Sequence, residues 1–559
     1  MNTLTTKRWS FERVTTIILQ LLIVVVIIFQ TLSLFSFPQP DGARWWGDET
    51  TQMLELKTEL TTGYAHIPTG LGSSVAITNG IVRSNSWMAA IVYGLPALII
   101  STFTSQKDLV ETGRLITLLL SIALISIMSR MLFALNVPTP LRLGAVLLLI
   151  TTRSFFFASH AARLDVAAGL TVLAFAWYLS NQYTRIQRRE WTPTPRWYFL
   201  YGAAAMLFAT LSIHLLTLLG LLSIYALLRF GAFRNLSSLL SAIAGVAFVC
   251  ALLLSMYALS GAPWTLFGPT AKPNQFQAVT SMLPIQRPFS RSVQVGNILE
   301  RMRGLWSEAP AFMLLCIGAL LRAFLAVRHH WRTYAQGIPQ VTFLSGSAFT
   351  ILVAWLLFQS PALYYYIHVL PLFIVALVVY LAPKIETNKQ LFATIAVFSF
   401  ILSIASVADS IQAGKVSQTI THANRQALLG ILDTIDTTST RSHPIVLAQN
   451  PAISFLEQRS DVRLMTAHIV SFPLSGNPLA ISIQKLGVKY ILLYASHTGK
   501  VYSDDYATLR PLADSIGRLV RKSTGTYFDD YRNYFSAQSL QALPNDTLLL
   551  YELPQPIVR

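Results

Sequence analysis

The stretch "SHAARLDVAAGLTVLAFAWYLSNQYTRIQRREWTPTPR" (159–196) decides how the chain is built. An apolar run, 165–181, is entered through Arg163 and Asp165 and left through a loop that carries Arg185, Arg188, Arg189 and Arg196. Apolar runs of nearly 20 residues are the length that crosses a bilayer. A loop so rich in arginine belongs on the cytoplasmic side. The entry pair Arg163 and Asp165 therefore falls at the outer junction. Ionisable residues there face a bundle interior or a water-filled cavity more often than lipid.

The rest of the chain agrees. Of 559 residues, 53% are hydrophobic and 12% charged, and the mean hydropathy is +0.51. Soluble domains carry about 25% charged residues. The net charge of +17 would suit a nucleic-acid binder, but basic cytoplasmic loops explain it in a membrane protein. Cys250 and Cys316 both lie in apolar runs and form neither a disulfide framework nor a metal site. The basic start "MNTLTTKRWSFERV" leads into a run too long for a cleaved signal peptide, so it reads as an uncleaved first span.

The runs 14–37, 113–135, 142–159, 165–181, 197–213, 215–229, 237–259, 308–327, 341–358, 364–382 and 390–408 predict about eleven spans. The run 87–103 is set apart. If it crossed, every later basic loop would face outward. It is expected at the outer interface or as a re-entrant segment, broken at Pro96. The N-terminus is then cytoplasmic, and 38–112 and 260–307 are long outer loops.

From about 411 the composition changes. "HPIVLAQN", "VRLMTAH", "VKYILLYAS" and "DTLLLYEL" read as strands, and "PAISFLEQRS" and "PLAISIQKLG" as helices. Alternation of this kind predicts a small α/β domain with at least partly parallel strands. It lacks a glycine-rich phosphate loop. The predicted fold is thus a polytopic α-helical membrane domain, 1–410, followed by an extracytoplasmic α/β domain, 411–559.

The outer face gathers the chemistry. "GDETT" (47–51) places Asp48 and Glu49 at the mouth of the first span, as solvated charges, as helix N-caps before "TTQMLELKTEL", or as site residues. Arg114 opens the second span; it suits a lipid phosphate or simply snorkels to headgroups. Arg163 and Asp165 pin two helices, line a site, or do both. His214 lies in the turn of "LSIHLLTLLG" and His368 at the end of "YYYIHVLP". A lone histidine on an apolar face is more often structural than a ligand. No spacing matches a metal motif. Together these residues suit catalysis at a bilayer mouth: cations hold a lipid phosphate, and a carboxylate takes a proton from an attacking group.

Four stretches carry a resemblance: "DETTQMLELKTEL", "GRLITLLLSIALISIMSRMLF", "FFFASHAARLDVAAGLTVLAFAWYL" and "LFATLSIHLLTLLGLLSIYALLRF". In order and spacing they resemble the GT-C glycosyltransferases, in particular the branch of protein O-mannosyltransferases and the lipid A aminoarabinose transferase. The resemblance covers roughly the first 260 residues closely and the rest by architecture. It implies inverting transfer of a sugar from a polyprenyl-phosphate donor to a lipid, glycan or protein acceptor, at the periplasmic face of a bacterial inner membrane. On that resemblance Asp48 matches the acidic residue that acts as base or orients the acceptor, and Glu49 supports its loop. Arg114, Arg163, His214 and His368 are the candidate contacts to the donor phosphate, and Asp165 supports Arg163. No cofactor beyond the lipid-linked donor is implied, and metal use is left open. The stretch "HIPTGLGSSVAITNGIVRSNSWM" and the pair Ile367-His368 depart from the family pattern, which leaves sugar and acceptor open. The rival readings are a transporter or flippase for a lipid-linked saccharide, which would put polar groups at the midplane of paired halves, a non-catalytic assembly protein, and a glycan polymerase or ligase.

Overall fold

The computed structural model describes residues 11–36, 87–103, 109–259, 339–358, 363–387, 444–448, 462–466, 487–495, 503–525 and 546–554, with isolated positions between them. The apolar runs within these are helices: Phe11–Ser36, Leu109–Ala134, Asp165–Gln187, Pro195–Ala209, Ile213–Arg229, Leu236–Leu259, Pro339–Phe358 and Leu370–Thr387. In hydrocarbon every backbone N–H and C=O must be satisfied within the protein, and a helix does this segment by segment. The 23 residues of Asp165–Gln187 rise about 34 Å, close to the thickness of a bilayer core. The segments Thr112–Ala134 and Leu236–Leu253 have the length and mean hydropathy, 2.2 and 2.3, of complete crossings. The runs 308–327 and 390–408 lie outside the described residues.

The apolar side chains sort by packing rather than away from a watery surface. Leu124, Met128, Leu173, Ile351, Trp355 and Ile374 are buried in one shared core, while Leu21, Leu119, Ile122, Leu240 and Phe248 are exposed. Lipid solvates the exposed set. The polar ends order the bundle. Arg229 donates to the Tyr183 hydroxyl and Gln340 to the Asn181 side-chain oxygen, so the end of Asp165–Gln187 meets the end of Ile213–Arg229 and the start of Pro339–Phe358. Exposed Arg185, Arg188, Arg189, Arg196 and Arg234 belong to that same end.

Three segments differ from the sequence expectation. The span expected over 142–159 is two helices, Thr139–Ile150 and Arg153–His160, bent by 68°. The Thr151 hydroxyl bonds back to the Leu147 carbonyl, and the Thr152 hydroxyl accepts from the Phe155 N–H as an N-cap. The cap starts a new helix in a new direction. The span expected over 364–382 begins as a 3₁₀ turn, Leu363–His368, before the helix Leu370–Thr387. Pro371 sits in the first turn of that helix, where its missing N–H costs nothing. The 87–103 stretch is helical throughout, with a π-turn at Ala90–Gly94 between Trp87–Ala89 and Leu95–Phe103. Pro96 cannot donate to residue 92 and would crowd its carbonyl, and the wider turn absorbs the conflict without a break.

In the last part of the chain five strands form a mixed sheet, β1 (Ile445–Ala448), β2 (Arg463–Thr466), β3 (Val488–Ala495), β4 (Arg518–Gly525) and β5 (Asp546–Glu552), in the order β2-β1-β3-β5-β4. β2, β1 and β3 are parallel; β5 is antiparallel to β3 and β4. Alternate residues separate cleanly. Val446, Ala448, Tyr490, Leu492, Leu548 and Leu550 pack on one face with Ile431 and Ile435. Leu447, Ile491, Leu493, Leu549 and Tyr551 pack on the other against Leu509 and Ala513 of the helix Ser503–Ile516. Two covered faces explain why "YILLYA" and "TLLLYE" are nearly continuous apolar runs. The strand β4 and the helix Ser503–Ile516 were not expected from the sequence: "RLVRKSTG" is an exposed, basic edge, and Pro511 interrupts the helical pattern.

Candidate functional site

The bend after His160 makes the site. Helix Arg153–His160 ends there, Ala161 is extended, and the Arg163 N–H closes a tight turn on the Ala161 carbonyl at 2.8 Å. The next helix starts at Asp165, where an acidic residue also complements the helix dipole. The turn folds Arg163 back so that its Nε donates to Asp165 Oδ2 at 2.8 Å. The other carboxylate oxygen, Oδ1, lies 3.1 Å from His368 Nε2. All three side chains are buried. An unpaired buried carboxylate would be costly, so a cation on one oxygen and an imidazole N–H on the other is the arrangement that permits it.

A glycine lets the histidine in. A Cβ at Gly169 would lie 2.4 Å from the Ile367 carbonyl oxygen. The helix Asp165–Gln187 and the turn Leu363–His368 therefore touch backbone to backbone, one turn beyond Asp165. The same turn packs on helix Arg153–His160. The ring of Tyr365 lies 5.4 Å from that of His368, and Trp355 packs on Tyr366 at 4.5 Å, which holds the turn.

Arg114 is buried near the start of the helix Leu109–Ala134. A Cβ at its neighbour Gly113 would lie 2.9 Å from both Ala162 Cβ and Met53 Sδ. The Tyr93 hydroxyl donates to the Gly113 carbonyl at 2.6 Å and also meets the Thr117 hydroxyl. So the start of this helix is clamped between the 161–164 corner and the segment after "GDETT". Met53 and Leu56 are buried, and Leu56 and Leu60 approach Gly94. The spacing 53, 56, 60 is one apolar stripe of a helix.

Arg163, Asp165 and His368 are thus in direct contact, and Arg114 is buried at the same end. His214 is the second residue of Ile213–Arg229, at the end opposite Arg229, which puts its backbone at the Asp165 end as well. Asp48 and Glu49 lie outside the described residues. The sequence reading passed over His160. It is buried, its Nδ1 is 3.0 Å from the Ser159 hydroxyl and close to the Phe156 carbonyl, and its ring packs on Phe156 at 4.4 Å. The signal was present: an ionisable residue beside an apolar run is a site candidate by default. Among the described residues the buried arginine, histidine and aspartate side chains are Arg114, His160, Arg163, Asp165 and His368. All five lie at one end, and the exposed arginines lie at the other. Among the described residues no group of histidine, cysteine and carboxylate side chains has metal-binding geometry.

Neither a protein-family model nor a curated protein sequence matches the chain. Among solved structures it is similar to the crystal structure of ArnT from Cupriavidus metallidurans in the apo state. The identity is 13%, the TM-score 0.50, and the match covers 95% of this chain and 97% of that one. At that identity the likeness shows the fold alone. The fold is that of this ArnT structure, and with its apolar helices the chain is a polytopic membrane protein.

Proposed function

We propose that this chain, with its GT-C fold, is an inverting glycosyltransferase of the bacterial cytoplasmic membrane. It moves a sugar from a polyprenyl-phosphate donor to a lipid, glycan or protein acceptor at the periplasmic face. The N-terminus is then cytoplasmic, and the sheet-bearing segment 411–559 periplasmic. The observation that carries the reading is the segregation of charge: buried Arg114, His160, Arg163, Asp165 and His368 at one end, exposed arginines at the other. The exposed arginines mark the cytoplasmic side. A transporter would be expected to bury such groups at the bilayer midplane.

In this reading the acceptor's hydroxyl or amine attacks the anomeric carbon from the side opposite the phosphate. The new bond to the sugar forms as the sugar–oxygen bond to phosphate breaks, and the phosphate leaves with that electron pair. Asp48 takes the proton released by the acceptor, and Glu49 supports the loop that carries it. Arg114 and Arg163 neutralise the leaving phosphate, a role for which the guanidinium fork is suited. His368 and His214 complete that end of the site, and Asp165 sets the orientation of Arg163. Met53 and Leu56, buried a few residues beyond Asp48, anchor the segment against the clamped start of the Arg114 helix.

The test is transfer of label from a set of polyprenyl-phosphate sugars by purified protein in lipid, with candidate acceptors, comparing the wild type with Asp48→Asn. Consumption of one donor by the wild type, lost in a folded Asp48→Asn, supports the reading and names the donor. Equal turnover by both proteins removes Asp48 from the site. Movement of intact lipid-linked saccharide across vesicles, with no transfer, would replace the enzyme by a transporter.

A further inference from the structure

Three parts of the candidate site touch at Gly113. It is buried, the fifth residue of the helix Leu109–Ala134. A glycine inside a helix is unfavourable by propensity, so its place here calls for a packing reason. The reason is lack of room. A Cβ would lie 2.9 Å from Ala162 Cβ, 2.9 Å from Met53 Sδ and 3.3 Å from Met53 Cε. Carbon atoms in ordinary contact stand about 3.5–4.0 Å apart. The Gly113 carbonyl is held as well: it accepts from the Tyr93 hydroxyl at 2.6 Å and from the Thr117 hydroxyl at 3.1 Å. Tyr93 is fully buried and stands on the π-turn Ala90–Gly94. Any shift of the helix start therefore disturbs these bonds too.

Each neighbour leads to a site residue. Arg114 follows Gly113 and Arg163 follows Ala162, so each guanidinium is carried by the residue next to the contact. The contact sets how far apart the backbones of the two arginines stand. Met53 is buried, and Asp48 and Glu49 precede it by five and four residues, a reach of at most roughly 18 Å. Leu56 lies against a second glycine, where a Cβ at Gly94 would stand 3.0 Å from Leu56 Cβ. The segment that follows the two carboxylates is thus seated at two glycines, and the first of them also meets the elements that carry both arginines.

We infer that Gly113 is the positioning residue of the site. It acts through Ala162 on the spacing of Arg114 and Arg163, and through Met53 on the placement of the Asp48 segment against them. The assignment rests on the sugar-transfer reading. In that reading the anomeric carbon lies between the base and the leaving phosphate, so the separation of the groups that serve them must be held. A misplacement of about 1 Å can cost a hundredfold in rate. A methyl at Gly113 demands a shift of roughly 0.6 Å to reach ordinary contact with Ala162.

Initial rates of transfer would be measured against donor concentration for full-length protein in lipid, beside unfolding temperatures. Gly113→Ala is expected to lower kcat/KM for the lipid donor roughly tenfold to a hundredfold, mainly through KM, because the arginines spread. Gly113→Ala combined with Ala162→Gly moves the methyl from one wall to the other, and most of the loss should be restored. Met53→Ala loosens the carboxylate segment alone, so kcat should fall severalfold with KM unchanged. Gly346→Ala is the packing control: its Cβ presses on the Tyr225 hydroxyl, on the helix that ends at Arg229. It should lower the unfolding temperature and leave kcat/KM in place. Wild-type kcat/KM in Gly113→Ala overturns the assignment, as does a loss that Ala162→Gly does not restore. If Gly113→Ala does not fold, Met53→Ala decides, and a kcat equal to that of the wild type overturns the assignment. A wild type that consumes no donor overturns the sugar-transfer reading itself, and the assignment with it.

Discussion

Asp165 Oδ1 and His368 Nε2 lie 3.1 Å apart across 203 residues of sequence. The contact ties the turn Leu363–His368 to the first turn of the helix Asp165–Gln187, and Arg163 holds the other oxygen of the same carboxylate. Removing the carboxylate leaves a buried guanidinium without this counter-charge. Asp165→Ala is therefore expected to destabilise the protein by about 3–5 kcal/mol, as for other broken buried pairs. Thermal unfolding of the purified protein would show it. Because the cost comes from the stranded cation, combining Asp165→Leu with Arg163→Met should recover much of the loss in stability while transfer stays abolished. A double variant no more stable than Asp165→Ala would mean that the pair contributes more than mutual compensation.

Gly169→Ala tests the close approach itself. The added methyl would meet the Ile367 carbonyl oxygen at 2.4 Å, and that oxygen is backbone that cannot swing aside. Helix and turn must separate. The expected cost is about 1–3 kcal/mol, accompanied by a fall in activity larger than a stability-matched substitution in the distant lipid-facing surface produces. A variant with wild-type unfolding temperature and turnover would show that the turn shifts freely and that the Asp165–His368 contact is dispensable.

Arg114 is assigned to the donor phosphate by position and chemistry. Arg114→Lys keeps the charge and removes the fork of donors. A charge-assisted hydrogen bond contributes about 1.5–3 kcal/mol, so KM for the lipid donor should rise roughly ten- to a hundredfold. If Arg114 serves only to hold the start of its helix, the variant would lower stability and leave KM in place. Steady-state kinetics against donor concentration, beside an unfolding curve, separates the two.

Much of this was legible in the sequence because the bilayer restricts the choices. A run such as "LITLLLSIALISIMSRMLF" has one low-energy form in hydrocarbon, and arginine-rich loops sort its ends. Arg163, Asp165 and His368 could be put at one face on that basis. Their contact could not, since it depends on a missing side chain at Gly169 and on a 3₁₀ turn where a span was expected. The bend at Thr151 and Thr152 was hidden for a related reason: threonine hydroxyls that bond back to the chain change its direction without changing its hydropathy. In the sheet, β3 and β5 were readable because both faces are covered, whereas β4 is an exposed edge whose charged residues conceal its period.

The sheet region makes a prediction about acid. Asp514, near the end of the helix Ser503–Ile516, accepts from Arg510 Nε at 2.7 Å and from the Tyr551 hydroxyl of β5 at 2.6 Å. The hydrogen bond from Arg510, then that from Tyr551, holds its carboxyl below the ordinary aspartate range. A carboxyl whose folded pKa is depressed binds protons more tightly in the unfolded chain. Its contribution to stability is therefore complete above the unfolded value, near 4, and fades as the pH falls through the lower, folded value. Asp514→Asn should consequently lower the unfolding temperature at neutral pH and leave it nearly unchanged at the acid end, so that the two curves converge as the pH drops. Arg510→Met should reproduce the greater part of this convergence, because it removes the first of the two hydrogen bonds. Parallel curves from neutral to acid pH would show that the carboxylate is not what links the helix to β5.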